Sequence, residues 1–399
     1  MTKEEFDGLL GAMIQTADGV SDLLFVAGRP LQVEAQGRLR PFVDGQSEPV
    51  LTSERIETMA RVIINNNQRL LEDLKQRGSC DSAYTLGNLC RFRVNIYLQN
   101  GSHAIVMRYL RPMIPSFESL HLAPIFNEII KETNGLIFVT GGTGMGKTTT
   151  IAAMLNEINR TRDIHIVTLE DPIEFLFTHD KCTFSQRELG MDFFDFQDGM
   201  RAAMRQAPKI IFIGEIRDRE TMEIVLNAGE TGHLVFSTLH TTSAAMSINR
   251  ILGLFSKDEE RQVRERLAAS MRYIISQRLV PAYSGGRLLV TELMGNNLRT
   301  HEAIVHGESE NRVLEEIIEA GSVAGWHTFE QSLIKAYEQD LISEQTTLIY
   351  CANRTKMLQR IDTISLKKPR KAINNDSIFA NLKMQEQEKA AKHGGKSIR

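Results

Sequence analysis

Hydrophobic spacing divides the chain into two unlike parts. Near the start, Phe6, Leu9, Leu10, Met13 and Ile14 recur at helical spacing. Short strands are expected over 21–26, over 31–35 after the Gly28-Arg-Pro turn, and from Leu39 after Gly37. Ile56, Met59, Ala60, Ile63 and Ile64 return to helical period and predict one helix from Ser53 to about Lys75, stopped at Gly78. Alternation then predicts strands over 82–86, 91–98 and 104–110. Strands mixed with helices in this way make a small α+β domain.

Beyond Arg111-Pro112-Met-Ile-Pro115, where two prolines end any regular element, the pattern changes. Apolar runs at 136–139, 164–169, 210–213 and 234–239 each stop at polar residues, with helical stretches between them. Buried strands alternating with helices predict a mostly parallel, doubly wound α/β sheet. Such sheets bind ligands at the carboxyl ends of their strands. The expected organisation is an N-terminal domain over 1–111, a linker over 112–116, a second domain over 117–365 ending in helices, and a tail over 366–399.

Composition narrows the class without naming a ligand. The net charge of −3 and the 24% charged residues give no sign of a nucleic-acid partner. No apolar run approaches the roughly 20 residues that span a bilayer. The acidic start, Met1-Thr-Lys-Glu-Glu, lacks the apolar segment of a secretion signal. Cys80, Cys90, Cys182 and Cys351 form no C-x-x-C pair, so reduced thiols are expected rather than a zinc ribbon or a disulfide frame. The lysine-rich tail from Leu366 carries too little apolar surface to fold alone, and a basic contact to a partner is its sharper use.

The chemistry sits where the apolar runs stop. The first leads into Gly141-Gly-Thr-Gly-Met-Gly146-Lys147-Thr148, which is G-x-x-x-x-G-K-[ST] with a strand before it and a helix after it. Glycines let backbone N–H groups converge on an anion at a helix N-terminus. The expected ATP-binding set is Gly141, Gly142, Thr143, Gly144, Met145, Gly146, Lys147, Thr148 and Thr149, with Lys147 on the outer phosphates and Thr148 on Mg2+. The second run leads into Glu170-Asp171-Pro172-Ile173-Glu174, the third into Gly214-Glu215, and the fourth into His240. Glu215 stands where an acid would hold Mg2+, directly or through water, or polarise the attacking water. Glu170 competes as general base, and Glu174 is a weaker acid candidate. Asp171 before Pro172 fits a helix N-cap. His240 is placed to sense the terminal phosphate, whereas His233 at the other end of its run has less claim. In the first domain Arg91, Arg93 and Arg108 lie in strand patterns, where a solvated basic face is the ordinary outcome.

Taken together, these motifs resemble the secretion-type ATPases. Glu170–Glu174 is similar to that superfamily's Asp box, Gly214-Glu-Ile-Arg-Asp218 to its Walker B, Thr231–Ser243 to its His box, and Arg91-Phe-Arg-Val-Asn95 to its N-terminal arginine motif. The set resembles the type IV pilus retraction ATPases, the PilT/PilU family, from about Ser21 to about Asp340. The resemblance implies a PAS-like N-terminal domain, a RecA-like P-loop domain, and a cytoplasmic homohexamer at the inner-membrane base of the pilus machine. It also implies ATP bound between neighbouring subunits, Arg93 and Arg108 reaching the nucleotide, and lesser roles for Arg217 and Arg187. Retraction motors carry an Ala-Ile-Arg-Asn-Leu-Ile-Arg-Glu-like segment after a Glu-hydrophobic-Met strand. Here Thr291-Glu-Leu-Met294 is followed instead by Arg299-Thr-His-Glu-Ala-Ile-Val-His306. Phe329–Leu333 and a helix expected near Gln345–Arg360 go with that departure. The resemblance therefore implies a PilU-like accessory motor working with a PilT-like partner and an inner-membrane platform protein. Two other assignments stay open: a nucleotide sensor with little turnover, and a motor for type II secretion or DNA uptake on the same chassis.

Overall fold

The computed structural model describes residues 1–42, 50–87, 89–110, 113–309 and 313–367. Arg111, Pro112 at the start of the expected linker, and nearly all of the basic tail lie outside the described residues.

The N-terminal unit begins with α1 (Lys3–Gln15), fixed by a capping box in which the Thr2 hydroxyl accepts from the Glu5 N–H and the Glu5 carboxylate accepts from the Thr2 N–H. Then come β1 (Val20–Phe25), β2 (Gln32–Ala35), β3 (Arg38–Pro41), α2 (Ser53–Ile64), α3 (Gln68–Arg77), β4 (Ser79–Leu86), β5 (Cys90–Gln99) and β6 (Ser102–Leu110). The strands form one antiparallel sheet in the order β3-β2-β1-β6-β5-β4. One face packs Phe25, Phe92, Ile96 and Met107 against Phe6, Ile56 and Met59 of the helices. Alternation leaves Arg91, Arg93 and Arg108 on the other face.

The single helix expected over 53–75 is two helices. Asn65 and Asn66 take left-handed conformations at φ 47° and 60°, and Asn67 caps the next helix by accepting from the Leu70 N–H. Asparagine tolerates this backbone region, so the break follows from residue chemistry that apolar spacing does not register.

The second unit contains α4 (Phe126–Ile129), β7 (Gly135–Thr140), α5 (Lys147–Thr161), β8 (His165–Glu170), β9 (Thr183–Glu188), α6 (Phe196–Ala203), β10 (Ile210–Ile213), α7 (Arg219–Glu230), β11 (Leu234–Leu239), α8 (Ala244–Leu252), α9 (Glu260–Ser270), β12 (Met271–Pro281) and β13 (Arg287–Gly295). Its seven-stranded sheet runs β13-β12-β7-β11-β10-β8-β9, parallel throughout except at β13. The mostly parallel α/β expectation is met, and the four apolar runs are β7, β8, β10 and β11. β9 and β12 escaped it because Ser185-Gln-Arg-Glu188 and Ser276-Gln-Arg278 interrupt any apolar run. The helices α10 (Leu298–His306), α11 (Leu314–Ala320), α12 (Phe329–Glu338), α13 (Glu344–Tyr350) and α14 (Arg354–Lys367) follow. Phe329, Leu333, Met357 and Ile361 cover Val280, Leu288 and Val290 of the β12–β13 hairpin. The helix expected over 345–360 breaks at Cys351, whose backbone is extended, and Arg278 takes the freed Tyr350 carbonyl at 3.0 Å.

Replacing Asn65 by valine should cost about 1–2 kcal/mol in urea unfolding, because a β-branched residue resists this backbone, while glycine should be near neutral. Equal effects of the two substitutions would contradict this account of the break.

Candidate functional site

The carboxyl ends of β7, β8, β10 and β11 open into one cleft of about 730 Å³. Residues 143–150 form its floor, with Glu170 and Glu174, Glu215 and His240 around it, and Arg93 and Arg108 facing them from the N-terminal unit.

The floor is shaped for an anion. Gly146 stands at the N-cap of α5 with φ 81° and offers no side chain to the first-turn N–H groups, and no acidic residue occupies that turn. Gly141 has φ 150°, and a Cβ there would lie 2.7 Å from the Gln277 carbonyl oxygen. The Lys147 ammonium, on a residue 8% exposed, donates to the Gly141 and Gly142 carbonyls at 2.9 and 3.0 Å. Burial pulls its pKa down, and the nearby carboxylates of Glu215 and Glu174 oppose that. Gln277 secures the loop by donating Nε2 to the Met145 carbonyl at 2.7 Å.

The three carboxylates are shifted in two directions. Glu170 is buried, accepts the Thr168 hydroxyl at 2.7 Å, and is pushed up to about 7 by burial, with the Thr168 and Gln186 hydrogen bonds partly offsetting it. Glu174 is also raised by burial, against the pull of its hydrogen bond with Thr148 and of Arg93, Lys147 and Arg108. For Glu215, burial works upward, but the Arg217 guanidinium at 2.9 Å and His240 Nε2 at 3.2 Å win, and its pKa is lowered. A carboxyl that titrates near neutrality suits proton transfer, and one held ionised suits a cation or an oriented water. Thr148, Glu174 and Glu215 supply hydroxyl and carboxylate oxygens, the donor type Mg2+ takes.

Arg93 and Arg108 are direct cross-strand partners on β5 and β6. Like charges so placed repel. Asp22 pairs with Arg108 at 3.0 Å, and Glu174 lies within the electrostatic reach of both. Both stay exposed to solvent, and both also line the cleft of their own chain.

Other expected residues go elsewhere. Arg91 turns to Glu188, and Arg187 donates to the Asp192 carbonyl at 2.8 Å while lying over the Phe193 ring. His233 faces the Ala228 carbonyl at 3.3 Å, at the far end of β11. Asp171 caps no helix: residues 171–179 are irregular, with the Ile173 and Phe177 N–H groups held by Glu188 and Gln186 side chains. Sequence reasoning passed over Thr168 and Gln277. The signal was present in a hydroxyl two residues before Glu170 on the same strand, and in a polar pair inside β12.

A family model described as "Type II/IV secretion system protein" matches residues 30–292. The chain is 36% identical to the Pseudomonas aeruginosa protein named "Type IV pilus retractation ATPase PilT", over 82% of this chain and 93% of that protein. It is 33% identical to "Type IV pilus ATPase PilU" of the same organism, over 90% of this chain and 93% of that one. Among solved structures, the pilus retraction motor PilT with bound ADP shares 36% identity and a TM-score of 0.79, covering 88% of this chain and 98% of its own.

The raised Glu170 carboxyl fixes a sign for stability. Its folded pKa of about 7 exceeds the ordinary 4.5, so the folded state holds the proton more tightly and stability falls as pH rises through that window. Glu170→Gln should flatten the drop in melting temperature between pH 5 and pH 8. The drop should not vanish, because burial also raises Glu174, Glu188 and Glu292. An unchanged slope would show that Glu170 is not buried as described.

Proposed function

The chain belongs to the type II/IV secretion system protein family, and on that premise we propose that it is an ATP-hydrolysing motor of a type IV pilus machine that drives pilus retraction. The observation that carries this is the single cleft in which a phosphate loop, the carboxylates of Glu170, Glu174 and Glu215, and the guanidinium groups of Arg93 and Arg108 meet.

In this proposal the loop N–H groups and Lys147 grip the phosphates, while Thr148 and Glu215, with Glu174 beside them, would hold Mg2+. The metal, when bound, would neutralise phosphate charge. Glu170 orients the attacking water and receives its proton at a carboxylate oxygen. Arg93 and Arg108 meet the charge that develops on the transferred group, and His240, already against Glu215, reports the terminal phosphate.

Work at the pilus requires assembly, and the proposed form is a homohexamer at the cytoplasmic base of the machine, acting on an inner-membrane platform protein. Among the described residues no helix is long and apolar enough to cross a membrane. The PilU-named relative matches 90% of the chain against 82% for the PilT-named one, and α10 departs from the retraction motor's segment. These two observations favour an accessory motor that works beside a PilT-like partner.

Lys147→Ala should abolish retention of a fluorescent ADP analogue. Glu215→Gln should retain it yet release phosphate about a hundredfold more slowly. In cells lacking the gene, surface pili should accumulate and be cleared by wild type but not by Lys147→Ala. Normal clearance by that variant would defeat the proposal.

A further inference from the structure

Glu188 ends β9 and stands beside Glu170, its register partner on β8. Its side chain is 5% exposed, and one oxygen serves two parts of the molecule. That oxygen accepts the Ile173 N–H at 3.1 Å, inside the irregular segment that carries Glu174 into the cleft. The same oxygen meets the Arg91 guanidinium from β5 of the N-terminal unit. The backbone around it is tied as well: the Glu188 N–H donates to Asp192 at 2.8 Å, and the Leu189 N–H donates to the Glu170 carbonyl at 2.9 Å. Two residues on, Arg69 of α3 lies so close to Gly190 that a Cβ there would meet the guanidinium at 2.5 Å. The N-terminal unit thus meets this strand end at two places, by an ion pair from Arg91 and by close approach of Arg69.

A buried carboxylate persists only where its charge and lone pairs are matched. Here the countercharge comes from one unit and the hydrogen bond goes to the other. Were the units to part, Glu188 would lose its cation, and the segment it holds would lose its anchor.

We propose that Glu188 is a positioning residue that ties the seating of the N-terminal unit to the placement of the Glu170–Glu174 acids. It does not line the cleft itself. It sets where the acids stand, so hydrolysis is fast only when Arg91 is docked. This rests on the ATPase function proposed above.

The test uses the full chain, with kcat and KM for MgATP read beside binding of a fluorescent ADP analogue. Glu188→Ala should lower kcat by about a hundredfold while KM changes by less than about threefold, since the phosphate loop is untouched and the acids are misplaced. Glu188→Gln keeps an oxygen for both contacts and should stay within about tenfold of wild type. The exchange Arg91→Glu with Glu188→Arg restores an ion pair between the units but leaves the Ile173 N–H without an acceptor. Its kcat should stay low even where its melting temperature recovers. Wild-type kcat in the exchange, or in Glu188→Ala, would overturn the inference and leave a plain ion pair between units. If Glu188→Ala does not fold, the glutamine variant against the exchange decides by the same criterion. Hydrogen exchange over residues 171–175 reads the hold directly and should quicken in the exchange variant but not in Glu188→Gln. That measurement needs no turnover. A wild-type chain without ATPase activity would sink the functional proposal, while equal exchange in all variants would sink this one.

Discussion

Lys147 carries its charge almost out of water, beneath two carbonyl oxygens of its own loop. An ammonium so placed is costly by several kcal/mol unless charge of the other sign is near. Glu215 and Glu174 supply part of it, and each is answered in turn: Glu215 by Arg217 and His240, Glu174 by Arg93 and Arg108. The cleft is a set of charges that balance each other around a space fit for a triphosphate. The architecture follows from keeping that set together. The four parallel strands must end at one level, and the N-terminal sheet must turn its arginine face inward.

How each strand could be recognised depends on its surroundings. β7, β8, β10 and β11 lie inside the sheet, so their residues are nearly all apolar and the runs stand out. β9 is an edge strand with a half-polar surface, and β12 spends its polar residues on the phosphate loop and the C-terminal helices. Neither can look like a buried run. The phosphate loop, Glu170, Glu215 and His240 were legible because their chemistry follows directly on an apolar segment. Arg91, Arg93 and Arg108 were not separable by alternation, which places all three on one face. Which of them meets the cleft and which meets Glu188 depends on the docking of one sheet against another, and no local pattern records that.

Asp171 and the Asn65–Asn66 pair show the same limit from the other side. A carboxylate before proline resembles a cap in isolation, but the backbone that follows is irregular, with its N–H groups held by Glu188 and Gln186. Two asparagines inside a helical period break it because their side chains tolerate left-handed backbone. In both cases the decisive partner or conformation outweighs the periodic signal.

The central claim is that the groups proposed to carry hydrolysis, from Lys147 to Arg93 and Arg108, work within the one cleft they line in a single chain. Mixed assembly tests it most directly. Chains carrying Lys147→Ala are mixed, unfolded and reassembled in equal amounts with chains carrying Arg93→Ala and Arg108→Ala, and phosphate release is measured. With every group in one chain, each pocket in the mixture lacks something, and activity should stay at the level of the inactive parents. Activity recovering toward a quarter or more of wild type would show that the arginines serve a neighbour's pocket, and would contradict the account.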